Sequence, residues 1–236
     1  MSGWTAKRFW TDATVEQMPD GFVVRLDGRD IRTPGKAPLI MPTRALAEAV
    51  REEWAMQGDK IDPTTMPITR TVNSAIDKVA PQRDEVVELI AAYGDADLMC
   101  YRATSPAELV RRQSEAWDPL LDWAAETLGA RLVPRPGVMH QPQDSAALSR
   151  LAALVKEFPD IELAAFHDIV SLSGSLIIGF AVVQSVDHDE GLWISSRIDE
   201  IWQEQQWGAD ADAGVVARQK QSAFLTAAKV LRMARK

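Results

Sequence analysis

Residues Ile169–Val186, IVSLSGSLIIGFAVVQSV, form the only long stretch of this chain without a charged side chain. At eighteen residues the run approaches the length of a membrane-spanning helix. It also carries Ser171, Ser173, Ser175, Ser185 and Gln184, with His167-Asp168 directly before it. Hydrocarbon would leave those hydroxyls and that amide in need of partners, whereas neighbouring helices of a soluble core can satisfy them. A run apolar all round signals burial, so the stretch is expected to be the buried centre of a helical domain. Gly174 and Gly179 would let a neighbouring backbone approach closely. Because glycine costs about 1 kcal/mol inside a helix, a break near Ser173-Gly174 is an equal expectation. Downstream, Asp187–Asp212 is the densest acidic cluster, interrupted only by Arg197, and reads as the working surface of that domain.

The remaining composition narrows the class. The 236 residues suffice for one large or two modest domains with a real core. A formal net charge of −8 argues against a nucleic-acid partner, since phosphate binding needs a basic footprint. Cys100 is the single cysteine, which excludes an internal disulfide and suits a reducing compartment. MSGWTAKRFW has neither the apolar core of a secretory signal nor the Arg/Ser-rich form of a transit peptide, so the protein is expected to act where it is made. Eight tryptophans stand against two tyrosines. Indoles dominate cores and binding hot spots alike, so this count alone decides nothing.

Residues 1–80 read as a β-rich domain and 81–236 as a larger all-helical one, an α+β organisation with the boundary near Pro81. Phe22, Val24 and Leu26 alternate on one strand face, Asp27-Gly28 suits a type I′ turn, and Arg29–Thr33 makes the return strand. Leu39-Ile40-Met41 is a candidate third strand. Thr43 can cap a helix over Arg44–Gln57, with the stripe Leu46, Ala49, Val50 and Trp54, stopped by Gly58. A short helical run then reaches about Val79. In the second domain, Arg83–Tyr93 is a helix closed by Gly94. Ser105-Pro106-Ala107-Glu108 reads as a capping box with proline at the first helical position. Asp118-Pro119 kinks that helix or starts another ending at Gly129. Arg131–Gln143 is a loop, and Ser145–Phe158 is helical. Asp187 or Asp189 caps a helix over Glu190–Trp207 ended by Gly208. A last helix, Asp212–Arg235, carries no acid beyond Asp212, as the helix dipole favours.

Enzyme motifs are mostly missing. Gly28 to Lys36 superficially suggests a phosphate loop, but six residues rather than four separate its glycines and Ala37 stands where the metal-binding hydroxyl belongs. His140, His167 and His188 are scattered, and Cys100 has no visible activating base. Asp187-His188-Asp189-Glu190 is the best metal candidate and supports an alternative reading, a metal-dependent enzyme. Adjacent acids at a helix start are, however, what the dipole favours. The basic final helix gives a third reading, peripheral attachment to anionic lipid.

The helix Glu190–Trp207 is the informative one. At 100° per residue, Ile194, Ile198, Ile201 and Trp202 fall on one side, which should face the core. Trp193, Glu200 and Trp207 recur every seven residues on another side, with Glu204 beside them. One reading packs both indoles under loops and pairs Glu200 with Arg197; the other makes this stripe a partner-binding face.

At Ser195-Ser196-Arg197-Ile198-Asp199-Glu200, Gln203 and Trp207-Gly208, the chain resembles the assembly chaperones of the F-type ATP synthase catalytic head. More narrowly, it resembles the ATP-twelve chaperones, which attend the unassembled alpha subunit. The resemblance extends through Leu26-Asp27-Gly28-Arg29, Thr33-Pro34, Glu53-Trp54, Gln57, Met66-Pro67, Asp95, Tyr101, Leu109 and Gln113. It implies a β-rich domain followed by a helical one and a non-catalytic role without cofactor: holding the free alpha subunit until the beta subunit replaces the chaperone. The family's functional glutamate falls on Glu200, with Asp199 the alternative one residue away. Trp193, Glu200, Gln203, Glu204 and Trp207 are thereby the expected partner-binding residues. Lys7-Arg8-Phe9-Trp10, close to the start, resembles the family's opening and points to a bacterial, cytoplasmic member. The protein is expected to be a monomer when free, with no nucleic-acid partner and no stable membrane insertion.

Overall fold

The structure is a computed structural model, which describes residues 7–208 and 210–235. It is mixed α+β, with a small sheet near the N-terminus and a mostly helical remainder. Its contacts divide into two compact units. One comprises the chain through Arg83 together with Pro159–Ala165 and the residues from Lys229 onward; the other comprises Asp84–Phe158 and Phe166–Ala228.

In the first unit, strands β1 (Ala13–Met18), β2 (Gly21–Leu26) and β3 (Arg29–Asp30) form an antiparallel sheet in sequence order. Val24 and Leu26 are buried on the face predicted by their alternation. Asp27 and Gly28 adopt φ of 47° and 79°, the positive values a type I′ turn demands. The Asp27 carboxylate also accepts the Asp12 amide at 2.9 Å, tying the turn to the start of β1. Leu39-Ile40-Met41 does not become a strand: Met41 exchanges two backbone bonds with Phe22, each 2.9 Å, as an isolated bridge. Pro38 and Pro42 flank the segment and cannot donate to a ladder. The third strand is instead β1.

Helix α1 (Arg44–Ala55) begins at Thr43, whose hydroxyl accepts the Leu46 amide, and lies against β1 and β2. It ends two residues before the expected Gln57, because the Gln57 side chain is used elsewhere. Its amide donates to Glu53 O and Thr65 Oγ1 and accepts from Asp62 N. The buried Glu53 carboxylate accepts the amides of Ile68 and Thr69 and the Thr69 hydroxyl, all within 2.8 Å. It thereby caps helix α2 (Pro67–Ser74), whose own N-cap, Met66, supplies no side-chain bond. Asp77, in the π-helical turn that continues α2, accepts Thr33 Oγ1 at 2.6 Å and the Gly35 amide at 2.8 Å.

Helix α3 (Arg83–Ala91), which enters the second unit at Asp84, tightens into a 3₁₀ turn ending at Gly94. Strand β4 (Tyr101–Arg102) precedes helix α4 (Ala107–Trp123) and pairs in parallel with β5 (Arg135–Pro136). The expected capping box is not formed. Pro106 itself takes the N-cap position and Glu108 turns outward to Arg111 and Arg112. Pro119 neither ends nor restarts α4, which continues past it and closes through a π-helical turn at Gly129, φ 69°. Helices α5 (Ser145–Lys156) and α6 (Asp160–Ser173) follow.

The apolar run breaks at Gly174, φ 71°, between α6 and helix α7 (Leu176–Gln184). Leu176–Val182 are all buried. At Gly179 the close neighbours are the Val170 and Phe166 side chains rather than another backbone. The buried hydroxyls are satisfied: Ser173 donates to Ile169 O at 2.8 Å, and Ser175 caps α7. No helix among the described residues is long and apolar enough to cross a membrane.

Helix α8 (Asp189–Ser195) and helix α9 (Ile198–Trp207) replace the single helix expected over Glu190–Trp207. Ser195 and Ser196 bond back to Gly191 O and Trp193 O, and Arg197 leaves helical geometry at φ −116°. The α8 cap is His188, whose Nδ1 accepts the Gly191 amide at 2.9 Å, rather than either neighbouring aspartate. Helix α10 (Ala211–Ala234) completes the chain.

Asp97 is fully buried. It accepts the Met99 amide with one oxygen and Ser175 Oγ and the Ile177 amide with the other. Burial outweighs these bonds and pushes its carboxyl up from 3.8 to about 6. The native state thus binds this proton more tightly than the unfolded chain. The group's contribution to stability is fullest below about pH 4, declines up to about pH 6 and is flat above. Relative to the non-titrating Asp97→Asn, the unfolding free energy should fall by about 3 kcal/mol across that window. Urea unfolding of both proteins at several pH values checks this; a pH-independent difference contradicts it.

Candidate functional site

A cleft of about 580 Å³ lies in the second unit, walled by β4 and the residues after it, by α4, by the loop at Gly137-Val138, and by α9. Its floor is a short hydrogen-bonded relay. The Ala103 amide donates to Gln113 Oε1 at 2.8 Å, and Gln113 Nε2 donates to Asp199 Oδ1 at 2.6 Å. Gln113 is buried, so both ends of its amide are used where water cannot compensate. Asp199 lines the cleft, held by a neutral amide, and no cation pairs with it among the described residues. The other charged residue of the lining, Arg102, bonds Met99 O and Asp118 and stands over the Trp117 ring.

Indoles set the geometry of α9. Trp117 is buried in α4, and its N–H donates to Ser195 O at 2.7 Å, which fixes the end of α8. Trp202 lies under the Arg112 guanidinium, 4.9 Å from ring centroid to carbon. Arg112 in turn holds Gln205 and Glu108. Apolar side chains stand uncovered at the rim: Trp207 is 79% exposed and Val138 86%.

The expected site residues are therefore divided. Gln203 and Trp207 line the cleft, together with Asp199. Glu200 and Glu204 instead pair with Arg197 at 3.6 and 3.4 Å, as the alternative reading of that face anticipated for Glu200. Trp193 is 5% exposed and packs on Phe224, with ring centroids 5.4 Å apart. The seven-residue stripe does not exist, because the break at Ser196-Arg197 rotates α8 away from the α9 phase. The expected core stripe fails for the same reason: α9 has no buried residue, and Ile194 is 52% exposed. Ile194, Ile198 and Ile201 line a smaller hollow of about 350 Å³.

Sequence reading missed Val138, although an apolar residue in a proline-punctuated loop is itself a signal. It also misassigned Trp202 to the core. Among the described residues no group of three or more His, Cys, Asp or Glu could hold a metal ion. In the acidic run, His188 Nδ1 is occupied by capping and Asp187 accepts the His188 amide. Burial pushes the Cys100 thiol up to about 12, leaving it protonated at neutral pH.

Gln113→Ala leaves the Ala103 amide and Asp199 without their partner and should cost about 2 kcal/mol or more. Trp207→Ala removes an exposed ring and should change stability by less than about 0.5 kcal/mol. Denaturant unfolding of the two variants checks the contrast between a structural and a surface residue.

A family model described as ATP12 chaperone protein matches residues 7–125. The solved structure of Atp12 from Paracoccus denitrificans is 44% identical, superposes with a TM-score of 0.94, and covers 98% of this chain and 99% of that one. A point variant of the same Paracoccus protein gives the same identity and TM-score, with 98% coverage of each. The mitochondrial protein atp12 of Schizosaccharomyces pombe is 24% identical over 220 residues, 88% of this chain and 75% of the relative. By the span of the family model and by these identities, the chain belongs to the ATP12 chaperone family.

Proposed function

We propose that this chaperone serves assembly of the F-type ATP synthase catalytic head. It binds the unassembled alpha subunit, prevents its aggregation, and yields it to the beta subunit without performing catalysis. Family membership supports the chaperone role. The observation that carries the binding mode is the cleft, in which an uncovered indole, Trp207, stands beside a carboxylate, Asp199, without a cation of its own.

An unassembled subunit exposes the surface its partner normally covers, and such a surface aggregates. A cover needs apolar anchors and a charge that selects orientation, and it must bind less tightly than the true partner. Trp207 and Val138 supply the anchors, Gln203 an adaptable amide, and Asp199 the site for an Arg or Lys of the client. Glu200 and Glu204 share the one cation of Arg197, so this flank keeps a net negative charge. Trp193, buried against Phe224, does not line the cleft. The protein acts as a cytoplasmic monomer in this reading.

Co-expression with the alpha subunit of the same organism, without beta, tests the proposal. Soluble alpha co-eluting with this chain, and released when beta is added, is the expected result. Trp207→Ala should weaken the complex by about 2 kcal/mol, roughly thirtyfold in Kd. Insoluble alpha with no complex overturns the reading.

A further inference from the structure

Among the described residues, nothing pairs with the outer edge of strand β1. Asp27 N–H donates to Asp12 O at 3.0 Å, one position before the pair Ala13↔Leu26. Bonded pairs in an antiparallel ladder alternate, so Thr14, Glu16 and Met18 face β2 with their backbone groups. The N–H and C=O of Ala13, Val15 and Gln17 face outward, and among the described residues no group bonds them. Natural edges are usually blunted by lysine, proline or a bulge. This one has none of them: its register is unbroken over six residues, and its only charge, Glu16, is paired to Arg25 of β2. Ala13 and Val15 share the face of buried Val24 and Leu26 yet are only partly covered.

We infer that the outer edge of β1 is a second docking site, which takes an extended segment of the client as an added strand. The segment's main chain bonds Ala13, Val15 and Gln17, and its apolar alternate side chains cover Ala13 and Val15. This rests on the client-holding reading above. A second copy of this chain fits the edge less well. Pairing of six residues buries on the order of a few hundred Å², well below the roughly 1,200 Å² at which stable complexes begin. A client already held elsewhere needs no more than that, because the second contact is then intramolecular.

Val15→Pro tests the site, since the Val15 N–H takes no part in the β1–β2 ladder and its removal costs no internal bond. The probe is the alpha subunit of the same organism, with Kd measured for wild type and variant and amide exchange followed in the wild type with and without alpha. Expected are a Kd at least tenfold weaker for Val15→Pro with an unchanged melting temperature, and slowed exchange at Val15 and Gln17 on adding alpha. Equal affinity of a folded variant, or unchanged exchange in a formed complex, overturns the inference while leaving the chaperone reading intact. Should the variant unfold, the wild-type exchange decides alone. Protection already present in the free chain, or a dimer in sedimentation, assigns the edge to this chain itself and also overturns it. No complex with wild type overturns the chaperone reading, and this inference falls with it.

Discussion

Asp97 has no contact with solvent, yet it holds the N-terminal end of the most apolar helix in the chain. A buried carboxylate is costly, and three donors from two segments offset only part of that cost here. The consequence is positional. Asp97 fixes the turn Leu98–Cys100, which delivers β4, whose continuation presents the Ala103 amide to Gln113, which in turn presents its own amide to Asp199. The cap of a core helix and the wall of the cleft thus belong to one hydrogen-bonded sequence. A change at Asp97 should be felt at the cleft through the chain that joins them.

Helix α9 is the opposite kind of element. It buries none of its residues and is held to α4 by edge contacts: the Arg112–Trp202 stack, the Arg112–Gln205 bond and the Gln113–Asp199 bond. Such attachments sum to little beside the burial of α7. A helix with hollows against both flanks can adjust to a client surface without disturbing the core. Polar anchoring of this kind also leaves Trp207 uncovered.

The elements that were legible in the sequence were those fixed by local chemistry. Asp27-Gly28 dictates a type I′ turn, Thr43 caps α1, and the centre of the charge-free run, Leu176–Val182, is buried, with its break at the glycine named. What escaped was decided by partners distant in sequence. The α8–α9 break depends on two serines choosing backbone carbonyls and on Trp117 taking Ser195 O, so extrapolating one helical phase through it misplaced Trp193, Ile194 and Trp202. The strand β1 escaped because Thr14, Glu16 and Gln17 give weak alternation, though Pro19-Asp20 before β2 was a turn signal. Several residues that carried the family resemblance, Glu53, Gln57, Thr33 and Gln113, prove to be buried polar groups that satisfy backbone or side-chain partners.

The central claim is that the cleft beside Trp207 is where this chaperone touches its client. A photo-crosslinking amino acid placed at Trp207, with a control at the exposed Glu126, addresses it directly in cells producing alpha without beta. The account predicts a covalent adduct with the alpha subunit from position 207 and none from 126, disappearing when beta is supplied. An intact complex with alpha that gives no adduct from 207, or equal adducts from both positions, would contradict it.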